Sequence, residues 1–191
     1  MKLPNNFPVF SSPTMMFKSL LLALAAALPV WSWNSYVSEA VVVLSGPSSV
    51  NGTVIFQQSS YDGPVHVTGR IQGLDPSALR GFHVHASGNL TNGCTSAGAH
   101  YNPYNTTHGA PTDPKTARHV GDLGNIQSDA YGVAVLDITD TIISLNGPLS
   151  IVGRSVVVHT GTDDLGRGGT NVSLTTGNSG ERAACGVIGL S

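Results

Sequence analysis

Apolar and polar positions alternate in short runs along most of this chain, and a period of two places successive side chains on opposite faces of a β-strand. The runs lie at 39–45 (EAVVVLS), 53–58 (TVIFQQ), 64–71 (PVHVTGRI), 81–86 (GFHVHA), 119–126 (HVGDLGNI), 131–138 (YGVAVLDI), 154–160 (RSVVVHT) and 185–190 (CGVIGL). They predict eight short strands. Gly46-Pro47, Asn51-Gly52, Asp62-Gly63 and Asn146-Gly147 mark tight turns between or beside them, as an antiparallel sandwich or barrel requires. Two connections, 87–118 and 161–184, are longer than the ~15 residues at which structureless loops become uncommon, so each is expected to be functional or tied down. Neither an internal repeat nor a second domain is visible, and one domain over 39–191 accounts for the pattern.

The N-terminal segment follows a different pattern. SLLLALAAALPVWSW, from Ser19, follows Lys18, the sole charge between Lys2 and Glu39, and is interrupted by Pro29. It is too short and broken to span a bilayer, and it has the layout of a secretory signal peptide over 1–32, cut near Ser32, with Met15 and Met16 as alternative starts. The mature protein is therefore expected to be secreted, with no stable membrane span. Four Asn-X-Ser/Thr sequons, at Asn51, Asn89, Asn105 and Asn171, stand in stretches that read as loops and are candidate glycosylation sites. The two cysteines, Cys94 and Cys185, would be expected to bond in an oxidising compartment; two buried free thiols are the alternative.

Composition narrows the function classes. With 40% hydrophobic residues the chain can build a core, and with 10% charged residues and a net charge of −2 it offers no basic surface for nucleic acid. Its seven histidines are the informative excess. His83 and His85, two apart on a strand, project from one face about 7 Å apart at the backbone. His100, His108, His119 and Asp122 follow in or beside the first long loop, and His159 ends a late strand. Imidazoles with one carboxylate and no thiolate suit zinc or copper(II), whereas histidines alone on strands favour copper. Six histidines serve a demand for seven nitrogen positions if copper takes four and zinc three, and one imidazole bridging both metals resolves the count. His66 alternates with Val65 and Val67 and is expected to face solvent.

The segments GFHVHASGNLTNGCTSAGAHYNP, HVGDLGN, SIVGRSVVVHTGTDDLGRGGT and TGNSGERAACGVIGL resemble the signature segments of the eukaryotic copper/zinc superoxide dismutases, and the resemblance runs over about 39–191. It implies an eight-stranded antiparallel Greek-key sandwich or barrel with two long functional loops, one copper and one zinc per subunit, and a homodimer. It places His83, His85, His100 and His159 on copper, and His100, His108, His119 and Asp122 on zinc. Asp163 falls on the carboxylate that orients one histidine of each site, Cys94 and Cys185 on the disulfide pair, Arg182 on the active-site arginine, and Thr176 on the threonine that narrows the channel with it. The implied reaction is disproportionation of superoxide to dioxygen and hydrogen peroxide, with His100 delivering a proton. A copper-handling module without turnover, or a sandwich merely braced by metals, would not need Arg182 beside a complete histidine set. Three departures stand out: 170–176 (TNVSLTT) carries no charge, Glu181 directly precedes Arg182, and Arg80 stands where relatives often have histidine.

Overall fold

The structure is a computed structural model, and it describes residues 36–191. The leader expected over 1–32 lies outside the described residues. Among the described residues ten strands form: β1 (Glu39–Leu44), β2 (Asn51–Gln58), β3 (Val65–Gln72), β4 (Leu79–His85), β5 (Thr91–Cys94), β6 (Asp122–Gln127), β7 (Ala134–Asp140), β8 (Ser155–His159), β9 (Arg182–Val187) and β10 (Gly189–Leu190). They make two antiparallel sheets, of order β10-β1-β2-β3-β7 and β6-β4-β8-β9. The first sheet keeps the alternation that predicted it. Ala40, Val42 and Leu44 of β1, Val54 and Phe56 of β2, and Val65, Val67 and Ile71 of β3 are buried against the second sheet, while Val43 is 69% exposed. No helix among the described residues is long and apolar enough to cross a membrane.

The second sheet is buried on both faces, and this arrangement positions the site. Phe82 pairs with Val158 and Val84 with Val156, all turned into the core; His83 pairs with Val157 and His85 with Ser155 on the outer face. The outer residues are nevertheless buried, because the two long connections fold over them. The pairing register slips between Gly81 and His83 of β4 and again between Val158 and His159 of β8. Such bulges bend a strand and re-aim its side chains. Both fall at histidines.

Eight strands were expected and the frame is theirs, with two additions and several shifted ends. The run 185–190 divides at Ile188, where the chain leaves one sheet for the other, and becomes β9 and β10. The run 119–126 is strand only from Asp122. The connection 87–118 contains β5 and a 3-10 turn at Thr95–Ala97, and 161–184 contains a one-turn helix, α1 (Ser173–Thr176), before β9 begins at Arg182. Among the sequons, Asn51 is corrected from loop to strand: it opens β2, donates from Nδ2 to Ser49 O and accepts from Gln72.

The first long connection is anchored by an arginine that the strand pattern does not reveal. Arg118 is fully buried, pairs with Asp140 at the end of β7 at 2.7 Å, and donates to the carbonyls of Pro111, His119 and Val120. A guanidinium has five donors, and here four acceptors surround it. Removing the carboxylate alone leaves a buried uncompensated charge, which costs about 3–5 kcal/mol. Asp140→Ala is therefore expected to lower the unfolding free energy of the metal-free, disulfide-bonded protein by about that amount. Denaturant titration checks it, and a loss of only a few tenths would show that the pair contributes little.

Candidate metal centre

Three parts of the fold deliver the histidines to one place. β4 carries His83 and His85, and β8 ends in His159. The loop after β5 carries His100, His108 and His119 and leads into Asp122, the first residue of β6. Around His100 this loop runs beside β4 like a further strand: Ala86 N donates to Ala99 O and Tyr101 N to Val84 O, both at 2.8 Å, and His85 and His100 form a bridge. The Asp122 carboxylate ties the loop on itself, accepting through Oδ2 from His119 N at 2.8 Å and Gly109 N at 3.1 Å.

Two four-residue clusters result, sharing one ring, and His83, His108 and Asp163 form a third group that links them. His83, His85, His100 and His159 form the first, and His100, His108, His119 and Asp122 the second, with the potential ligand atoms of each within 4.8 Å of one another. In the second, Asp122 Oδ1 lies 2.9, 3.0 and 3.1 Å from the Nδ1 atoms of His100, His108 and His119. In the first, the Nε2 atoms of His85 and His159 are 3.4 Å apart. His83 Nδ1, His100 Nε2 and His108 Nδ1 are buried and make no hydrogen bond; His108 Nδ1 is close to Asp122 but out of line for one. Buried polar atoms normally find partners, and nitrogens without one, converging with others, have the arrangement of metal ligands. Four imidazoles suit copper, and three imidazoles with one carboxylate suit zinc, so the donor sets fit both ions.

The partners of the outward ring nitrogens fix which nitrogen is free. His83 Nε2 lies 2.8 Å from Asp163 Oδ2 and His108 Nε2 lies 2.7 Å from Asp163 Oδ1. His85 Nδ1 faces Gly98 O at 2.9 Å and His159 Nδ1 faces Gly180 O at 3.2 Å. Carbonyls and carboxylates only accept, so each of these nitrogens carries the hydrogen, and in the neutral ring the other presents its lone pair inward. Asp163 is itself held by Asn125 of β6, which accepts from Asp163 N at 2.8 Å and donates to Asp163 O at 2.9 Å. The strand pattern gave no reason to select Asn125. Gly177, at φ +64°, passes so close that a Cβ there would sit 1.9 Å from Asp163 Oδ1 and 2.5 Å from His108 Nε2. Only glycine fits.

The remaining expected residues lie near the clusters in different ways. Arg182 donates to Cys94 O at 2.5 Å, Thr95 O at 3.2 Å and Gly98 O at 2.6 Å, so Gly98 O serves both Arg182 and His85. Cys94 is bonded to Cys185. Thr176 is exposed at the end of α1, and Glu181 is exposed without an ion pair to Arg182 among the described residues. His66 is outside both clusters, exposed on β3 beside Asp137 at 2.7 Å.

Burial, reinforced by the neighbouring His100, lowers His83 to about 3 and His159 to about 4, and pushes His85 down further. These rings are neutral at pH 7. His108 behaves oppositely: burial disfavours its charge, but Asp122 and Asp163 outweigh burial and raise it to about 9. For the metal-free protein the signs follow from linkage. A lowered histidine contributes stability that is present above its usual 6.5 and is lost as pH falls toward 4 and 3; His108 contributes stability present below 6.5 and lost as pH rises through about 9. The denaturant midpoint of the metal-free protein should therefore fall on both sides of neutrality, and His108→Gln should remove the alkaline limb while leaving the acid one. A second expectation concerns the shared ring: His100→Ala should weaken both copper and zinc binding. Titration of each ion would show zinc affinity unchanged if the two clusters were independent.

Comparison with known proteins extends the match beyond the clusters. The family described as copper/zinc superoxide dismutase (SODC) matches residues 50–188. The chain is similar to the superoxide dismutase [Cu-Zn] of Cryptococcus neoformans, 62% identical over 153 residues, covering 80% of this chain and 98% of the relative. It is likewise 59% identical over 152 residues to that of Candida glabrata, covering 80% and 97%, and 60% identical over 153 residues to that of Kluyveromyces lactis, covering 80% and 97%. Since residues 50–188 include every histidine of the two clusters and the relatives are about 60% identical over 80% of the chain, the chain belongs to the copper/zinc superoxide dismutase family.

Proposed function

We propose that superoxide is disproportionated at the first cluster, with copper held by His83, His85, His100 and His159, zinc held by His100, His108, His119 and Asp122, and the anion guided by Arg182. The shared ring carries this reading: His100 turns Nδ1 to Asp122 at 2.9 Å and keeps Nε2 buried without a hydrogen bond. When bound, copper would supply a one-electron couple, and zinc a redox-inert positive charge beside it. Two superoxide anions and two protons give one dioxygen and one hydrogen peroxide; one anion gives up an electron, and the other takes it up.

The residues of the chain do the rest. Arg182 presents a permanently charged fork to a small anion, and three carbonyls hold it in place. The disulfide secures Cys94, whose carbonyl is one of those acceptors. His100 Nε2 is the atom at which a proton is taken up and handed to the developing peroxide, because Nδ1 is committed to the second cluster. Asp163 orients His83 and His108 together, so the two clusters keep a fixed relation. Thr176 is assigned to the channel rim, in keeping with its exposure at the end of α1.

Residues 1–32 are assigned as a signal peptide and the mature protein to the extracellular side. The disulfide and the exposure of Asn51, Asn89, Asn105 and Asn171 support this assignment, with Asn51 the least suited of the four because its amide is tied to Ser49. Homodimerisation belongs to the same reading and rests on membership of the family.

The deciding experiment is the superoxide decay rate of the protein loaded with copper and zinc, per bound copper, against the metal-stripped form. A copper-proportional rate toward about 10⁸–10⁹ M⁻¹s⁻¹ is expected. Full metal occupancy without turnover would overturn the reading. Since 170–176 bears no charge and Glu181 opposes Arg182, the rate should fall only shallowly with ionic strength, and Glu181→Gln should raise it about twofold at low salt and steepen that fall.

A further inference from the structure

Arg154 lies outside both histidine clusters and pairs with no carboxylate among the described residues. Its guanidinium carbon instead sits 3.6 Å from the centre of the Tyr101 ring, while Nη1 donates to Ala86 O at 2.7 Å and Nε to Ser150 O at 3.2 Å. Two of these contacts fall beside a ligand candidate, and Arg154 lies on the segment that carries a third. Ala86 follows His85, Tyr101 follows His100, and Arg154 itself leads into β8, which ends in His159. Its main chain is fixed as well: Arg154 N donates to Ile151 O, and its carbonyl accepts from Ile188 N at 2.8 Å. One half-buried side chain thus connects the three segments that bring His85, His100 and His159 together.

We propose that Arg154 is a positioning residue that sets the spacing of the copper-binding histidines by stacking on Tyr101 and holding Ala86. This rests on the assignment of the first cluster to copper. The physical basis is the flat fork of arginine, which stacks on an aromatic face while its N–H groups bond in its own plane; lysine has neither property. Tyr101 is the lever. It is buried, its N donates to Val84 O at 2.8 Å, and its carbonyl accepts from Gly121 N at 3.0 Å, so a shift of the ring is transmitted to the loop that carries His100. The second cluster touches Tyr101 through Gly121 N but has further ties, because Asp122, Asp163 and Arg118 also hold its members. Copper binding should therefore respond more than zinc binding.

The test compares Arg154→Met, Arg154→Lys, Tyr101→Leu and Tyr101→Phe in the disulfide-bonded protein. It reads the copper(II) visible and electron paramagnetic resonance spectra, copper affinity by chelator competition, zinc affinity, and denaturant stability. Arg154→Met and Tyr101→Leu should each change the copper spectra and weaken copper about tenfold, with zinc altered less than about threefold. Arg154→Lys should not rescue, Tyr101→Phe should match the unaltered protein because only the ring face is used, and the Arg154→Met/Tyr101→Leu double variant should be no worse than either single one. Unchanged spectra with copper affinity within about twofold in a folded variant, or effects that simply add, overturn the proposal. Should Arg154→Met fail to fold, the Tyr101 pair decides on its own. A histidine-type copper spectrum missing from the unaltered protein would overturn the site assignment instead, and is read before any variant.

Discussion

Removing a polar group from water costs free energy unless a partner replaces the water, and this protein buries six histidines and two aspartates against the outer face of one sheet. Nearly every feature of the site follows from how those groups are satisfied. Outward ring nitrogens reach Asp163, Gly98 O and Gly180 O, while inward ones converge on each other and on Asp122. In the metal-free protein the same burial keeps His83, His85 and His159 uncharged, which also leaves their lone pairs available to a metal ion at neutral pH.

Covering the outer face requires long loops, and long loops cost entropy unless anchored. The chain anchors them with polar links placed where they also organise the site. Arg118 and Asp140 fasten the first loop to β7, Asn125 fastens Asp163 to β6, and the disulfide fastens Cys94 to β9. The carbonyls of Cys94 and Gly98 then hold Arg182, and Gly98 O also holds His85. Anchoring and function therefore share atoms. Sites on loops hold their geometry less precisely than sites on strands unless a supporting shell locks them, and these links supply that shell.

Parts of the fold were legible in the chain because half-buried strands alternate by necessity. EAVVVL and VHVTGRIQ announce their faces, and His83-X-His85 announces that two imidazoles share one side. β5 was not legible: Thr-Asn-Gly-Cys has one buried residue and no period, and it is defined by where the disulfide holds it. The start of β6 at Asp122 was misplaced for a related reason. His119 through Gly121 carry a strand-like pattern, but Asp122 Oδ2 takes the His119 amide and turns the chain there. Arg118, Asn125, Tyr101 and Arg154 gave no local signal, since their partners are distant in sequence.

The amino-acid sequence alone determined the strand periods, the supply of imidazole and carboxylate donors, the cysteine pair and the uncharged stretch 170–176. These are properties of residue type and near-neighbour spacing, which a linear chain displays directly. Only the tertiary structure decided which nitrogen of each ring turns inward, which nitrogen of His100 meets each cluster, and which carbonyls hold Arg182. Those choices depend on hydrogen-bond acceptors tens of residues away, and a ring acquires a preferred tautomer only when folding brings one of them within reach.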